Sequence, residues 1–321
     1  MPARSVGNPL VDDSRTACIY SWGVEREMEQ AALVTLLLRR KSGWASVADE
    51  VEQAGSALAV LEHEDAPSSD QGELFSVENT LNGELEAARE QLQAWGKEGL
   101  TFTSVLDDDY PRQLLTIHQR PPFLIYRGLL LERDAQGVAV VGTRHPSPRG
   151  VEQATAIAAG LAERGTVVVS GLAEGIDTAA HTGALRAGGR TVAVIGTGQR
   201  KYFPAKNRVL QETIARDHAV ISQFWPDGPP TKTSFPMRNA VMSGYAAATV
   251  VIEAAFKSGA RMQARLALQH GRPVFLMKSL LEHDWARGYA ERPGCTVVES
   301  ADEVLAALDE LMQPAGELVW A

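Results

Sequence analysis

A chain of 321 residues, 45% hydrophobic and 22% charged, has the length and composition for a core of about two hundred residues with a smaller unit attached, which excludes a single small module, a disordered chain and a fibre. The run Ala31 to Leu38 is far short of the roughly twenty residues of a membrane span and follows no basic leader, so a cytoplasmic protein is expected. The net charge of −9 conceals a segregation: residues 1–100 carry 8 Lys and Arg against 18 Asp and Glu, whereas residues 190–278 carry 13 against 4, leaving a basic segment open to phosphate within an acidic chain. Cys18 and Cys295 are too few for a disulfide framework or a zinc site and read as reduced thiols.

Helical spacing of Met28, Ala32, Leu33, Leu36 and Leu37 predicts a helix over Glu25–Arg40, and a second helical pattern follows from Val47 to Leu61. The stretch Glu64–Thr80, with Pro, paired Ser, Gly and acids, reads as a linker, so residues 1–80 form a small acidic helical domain. A helix over Leu81–Lys97 opens an entry lobe, 81–137, in which Pro111, Pro121 and Pro122 divide short extended pieces. From Val138 onward β-branched runs at 138–142, 166–170, 191–196, 219–222, 248–253, 273–277 and 296–298 alternate with helical patterns near 149–163, 177–187, 206–216, 239–245, 259–270 and 301–312. That alternation predicts an α/β fold, a doubly wound Rossmann-like parallel sheet within residues 81–312, with a tail at 313–321. Asn207 and Asp177 stand where helix caps are expected.

In such a sheet ligands bind outside the carboxyl ends of the strands. The first exit offers Gly142, Thr143 and Arg144, then Ser147: a small residue, hydroxyls and a guanidinium that either forks onto a phosphate or pairs with a neighbouring carboxylate. At the second exit, Ser170 and Gly171 lead into a glycine-containing loop, and Asp177 and His181 share a helical face. No nucleophile or third group accompanies that pair, so a capping Asp and a structural His are read there, and no catalytic residue is assigned. Gly196-Thr197-Gly198 lacks the third glycine of a dinucleotide fingerprint and follows the third strand rather than the first, which disfavours a nicotinamide cofactor. Its continuation, Arg200, Lys201, Tyr202, Phe203 and Lys206, mixes cations with aromatic faces as single-strand nucleic-acid sites do; alternatively the two rings cover the sheet edge. The loop 223–239 places Lys232, Phe235 and Arg238 just before a helix, Phe235 to stack a base and the cations to hold flanking phosphates.

The segments VVGTRHPSPRG, SGLAEGIDTAAHTGAL, GGRTVAVIGTGQRKYFPAKNRVL, FPMRNAVMSG and EAAFKSGARMQARLALQHGRPVF, in this order and spacing, resemble the Rossmann core of the DprA/Smf family of DNA-processing proteins over most of Leu81–Leu308. Departures at Gln199-Arg200, Gln223, Ala240, Ala260–Gln263 and Lys278-Ser279 mark a divergent member. The resemblance implies a homodimeric, sequence-independent single-stranded DNA-binding protein, without cofactor or catalytic chemistry, that aids loading of a RecA-type recombinase during DNA uptake and recombination. It also implies a phosphate-and-base pocket comprising Gly142, Thr143, Arg144, Ser147, Ser170, Gly171, Lys201, Lys232, Phe235, Arg238 and Asn239. Two alternatives remain: a nucleotide-sensing module, and a nucleotide-hydrolysing Rossmann enzyme, whose PGGxGT stretch is replaced here by Glu253–Gly259. Self-association is expected through the helix Gly259–His270 and strand 273–277, where Leu266, Leu268, Val274, Phe275 and Leu276 either face a partner or are buried within one chain.

Overall fold

The computed structural model describes residues 13–40, 43–65 and 71–312; the expected tail and residues 66–70 of the expected linker lie outside them. Four helices come first: α1 (Asp13–Arg40), α2 (Trp44–Ala54), α3 (Ala57–Glu64) and α4 (Gln71–Lys97). Glu29 of α1 receives the backbone N–H groups of Ala57 and Leu58 and the hydroxyl of Ser56, so one carboxylate stabilises the start of α3 across the unit. Helix α4 begins ten residues before the predicted Leu81, in a stretch where no proline stands between Pro67 and Leu81 to break it. Its Leu85, Ala88 and Trp95 are buried.

The remaining chain alternates β1 (Thr101–Ser104), β2 (Phe123–Gly128), β3 (Val138–Val141), α5 (Pro148–Glu163), β4 (Val168–Ser170), α6 (Ile176–Arg186), β5 (Thr191–Val194), α7 (Arg208–Asp217), β6 (Ala219–Ser222), α8 (Ser234–Tyr245), β7 (Ala248–Val251), α9 (Gly259–Gln269), β8 (Val274–Met277), α10 (Asp284–Ala290), β9 (Cys295–Val298) and α11 (Ala301–Met312). The nine strands form one sheet in the order β1-β2-β6-β5-β4-β3-β7-β8-β9. All pairs from β6 to β9 are parallel, as the doubly wound reading expects, and β3 to β7 are nearly continuous apolar runs buried on both faces. The extended pieces of the expected entry lobe are β1 and β2, which pair antiparallel with each other and with β6 and so extend this sheet.

The N-terminal helices dock on that antiparallel edge. Trp44 of α2 and Trp95 of α4 meet Trp225, which stacks on Phe123 of β2 with centroids 4.5 Å apart, and Phe102 of β1 completes the cluster. One continuous hydrophobic core joins these helices to the sheet.

Asn207 stands at the N-cap position of α7 but does not cap it with its side chain, and Asp177 lies one step inside α6 rather than at its cap. Asn207 directs its amide to the carbonyls of Leu172 and Ala173 and to the Thr178 hydroxyl, while Asp177, inside the first turn of α6, accepts the N–H groups of Gly171 and Ala173 and thereby ties down the preceding loop. The apolar residues expected to support self-association are buried within the chain: Leu266, Val274, Phe275 and Leu276 fully, Leu268 partly. Among the described residues no helix is long and apolar enough to cross a membrane, and no cluster of His, Cys, Asp and Glu is arranged to hold a metal ion.

Candidate nucleic-acid interface

Strands β3 and β7 are parallel neighbours, but the chain after β3 winds toward β4 while the chain after β7 winds toward β8. The two exits diverge and leave a crevice at the carboxyl edge, where the sheet reverses its direction of winding. The Thr143 N–H donates to the Glu253 carbonyl at 2.7 Å, holding the two exits together at its base. A cleft of about 390 Å³ opens above, lined from β3 by Gly142, Thr143, Arg144 and His145, from α8 by Phe235, Arg238 and Asn239, and from the β7 exit by Lys257, Ser258 and Gly259. A smaller cleft of about 190 Å³ lies against the β4 and β5 exits, bounded by Gly171, Ala173, Gly196 and Phe203. Arg144, Phe235 and Arg238 line both clefts and form the wall between them.

Helix α8 builds that wall because it starts at Ser234, five residues earlier than predicted. Pro236 signals a loop in sequence, yet in the first turn its missing N–H costs no hydrogen bond. Positions 235, 238 and 239 then fall on one face of a helix instead of an open loop. Two glycines make room for the side chains: a Cβ on Gly171 would lie 1.2 Å from an Arg238 Nη, and one on Gly196 would lie 2.8 Å from the Phe235 ring. Gly171 therefore leaves the space that the Arg238 guanidinium occupies.

Arg238 is 6% exposed, donates to the Val194 carbonyl at 3.2 Å and stands 4.0 Å from Asp177, while its Nε has no partner among the described residues. Burial lowers its pKa, opposed by Asp177, and burial raises that of Asp177, opposed by Arg238 and by two backbone N–H groups. A buried guanidinium with unused donors at the base of a cleft is well suited to an anion. Arg144 is exposed, lies 5.6 Å from the centroid of Phe235 and has no carboxylate partner among the described residues. Phe203 also approaches Phe235, tilted, with centroids 5.4 Å apart. The site thus gathers two cations and two aromatic rings.

Of the sequence-predicted residues, Gly142, Thr143, Arg144, Phe235, Arg238 and Asn239 meet in the larger cleft and Gly171 in the smaller. Ser147 does not present its hydroxyl: it accepts from the Gly150 N–H and donates to Glu253, capping α5. Ser170 is fully buried, its hydroxyl donating to the Val140 carbonyl across the sheet. Lys201 lies 3.8 Å from Asp227 and lines neither cleft, and its neighbours in the glycine loop are likewise paired, Arg200 with Glu98 and Asp227, Lys206 with Glu174. Lys232 stands exposed on the approach to α8, outside the lining of both clefts. Lys257 has no place among the sequence-predicted residues; only the adjacency of β7 and β3 brings it into the same cleft as Arg144. His181 is the structural residue expected, its Nδ1 2.7 Å from the Thr191 hydroxyl.

Residues 101–309 match the family described as DNA recombination-mediator protein A. The chain is 39% identical to DNA processing protein DprA of Streptococcus pneumoniae over 208 residues, which is 64% of this chain and 73% of that protein. It is 39% identical to Protein Smf of Synechocystis over 213 residues, 64% of this chain, and there it spans 54% of the relative's length. The solved structure of the S. pneumoniae protein superposes with a TM-score of 0.63 at 32% identity, covering 88% of this chain and 95% of that one. A structure of DNA processing protein A from Helicobacter pylori, described for its single-stranded DNA binding mode, superposes with a TM-score of 0.58 at 26% identity, covering 65% and 96%.

Proposed function

Because the chain belongs to the DNA recombination-mediator protein A family, the DprA/Smf family, we propose that it binds single-stranded DNA in the paired clefts without sequence preference and without making or breaking a bond. The observation that carries this reading is the wall of Arg144, Phe235 and Arg238 between the clefts: a ring for a base to stack on, beside two cations that lack hydrogen-bonded carboxylates among the described residues. Lys257 and the amide of Asn239 extend the polar lining on the β7 side. Homodimerisation, delivery of the strand to a RecA-type recombinase and a cytoplasmic role in DNA uptake are the finer parts of the proposal. They rest on family membership alone, and light scattering tests the first of them.

Titration of a labelled oligothymidylate against rising salt tests the core of the proposal, with free nucleotides as competitors. Affinity is expected to fall with salt at a log–log slope of about −0.7 per phosphate neutralised. Phe235→Ala is expected to weaken binding by about 1–3 kcal/mol through lost stacking. Salt-independent affinity, or free nucleotides competing as well as the strand, would turn the reading toward a small-nucleotide sensor.

A further inference from the structure

The larger cleft does not end at α9. Lys257, Ser258 and Gly259 also form the head of a groove of about 530 Å³ that continues along the outer side of that helix, walled by Phe256, Arg261, Met262, Arg265 and Tyr289. Phe256 is 59% exposed, and the Arg261 guanidinium lies 4.2 Å from its ring centroid and donates to its carbonyl at 3.1 Å. At the far wall Arg292 covers Tyr289 at 4.5 Å. Lys257, Arg261, Arg265 and Arg292 have no carboxylate partner among the described residues. Several other arginines of this acidic chain, among them Arg26, Arg39, Arg127, Arg190 and Arg200, are each held by one or two carboxylates. Unneutralised cations cost self-repulsion, and here they gather around an exposed ring.

We propose that this groove is a second single-strand subsite, which takes the nucleotides that leave the cleft across the start of α9. The inference rests on the reading of the cleft. Arg261 and Arg265, one helical turn apart, hold successive phosphates, and Phe256 offers a stacking face that any base can use. The shared residues Lys257, Ser258 and Gly259 make the two sites one path. A strand short enough to fill the cleft alone gains nothing from the groove, whereas a longer strand binds both with the second contact intramolecular.

The test compares oligothymidylates of about six and about twenty nucleotides on the full chain. In an Arg261→Ala/Arg265→Ala variant the ratio of long-strand to short-strand affinity is expected to fall about tenfold, and the long-strand salt slope to shrink by about one to two. Phe256→Ala, at an exposed ring, is expected to lower the same ratio with unchanged thermal unfolding. Phe235→Ala weakens both lengths and leaves the ratio as it was, which separates the groove from the cleft. An unchanged ratio in the Arg261/Arg265 variant overturns the subsite while the cleft reading stands. So does an equal fall in the ratio on removing Arg164 and Arg186, which end α5 and α6 at the opposite edge of the sheet, because net charge would then be the cause. An unmodified protein that binds neither length overturns both readings.

Discussion

A methyl group on residue 171 would lie 1.2 Å from an Arg238 nitrogen, so glycine at the β4 exit is what lets a residue of α8 reach across two strand ends and present its guanidinium to both clefts. The clash involves the far end of a flexible side chain, not backbone, so the fold is expected to absorb it. Gly171→Ala is therefore expected to leave thermal unfolding within a few degrees of the parent while displacing Arg238 and weakening strand binding about tenfold, the loss of one charge-assisted contact. An unaltered affinity in a titration would remove Arg238 from the site. The position of Arg144 at a strand tip is legible, whereas its lack of a carboxylate partner among the described residues is visible only in the fold. Ser147 and Ser170 have the same residue type and the same kind of position, but their hydroxyls are committed to Glu253 and Val140, 106 and 30 residues away along the chain, respectively.

Among the elements α8 does most to organise the site, and its far end is anchored by a buried ionic cluster. Asp134 takes two hydrogen bonds from Arg190, at 2.6 and 2.7 Å, and a third at 3.0 Å from the hydroxyl of Tyr245, the last residue of α8. Both charged side chains are nearly inaccessible. Removing one partner strands the other charge in the core, so Asp134→Ala is expected to cost about 3–5 kcal/mol, seen as a lower urea midpoint at unchanged slope. Tyr245→Phe keeps the ion pair and is expected to cost about 1 kcal/mol. A smaller loss from Asp134→Ala than from Tyr245→Phe would show that the hydroxyl, not the ion pair, anchors α8. No motif in the sequence links residues 134, 190 and 245, because the parallel topology brings them together only when β3, β5 and β7 are in place.

At the scale of the whole molecule, acid should act through groups buried in an uncharged form. His181 is enclosed between α6 and the sheet, and burial, then the Arg238 guanidinium, lower its pKa from 6.5 to about 3. The unfolded chain therefore takes up this proton first, so the contribution to stability is complete above pH 6.5 and is lost progressively as pH falls toward 3. Glu212, held down from 4.5 to about 2 chiefly by its hydrogen bond with Arg127, adds a further loss below pH 4.5. Urea unfolding across this range should show the decline, and His181→Gln should flatten its upper limb; a decline of equal slope in that variant would assign it to other groups. By itself the sequence determined the doubly wound sheet, the order of its strands along the chain and the place of Arg144 at the first exit, since hydrophobic period, turn residues and strand-tip chemistry are local properties. Tertiary structure alone decided the antiparallel edge that carries the N-terminal helices, the internal burial of Val274 to Leu276, the pairing of Lys201 with Asp227 and the meeting of Lys257 with Arg144. Each of these depends on which strand lies beside which and on where a distant carboxylate ends up, and neighbours in space that are far apart in the chain leave no mark on local pattern.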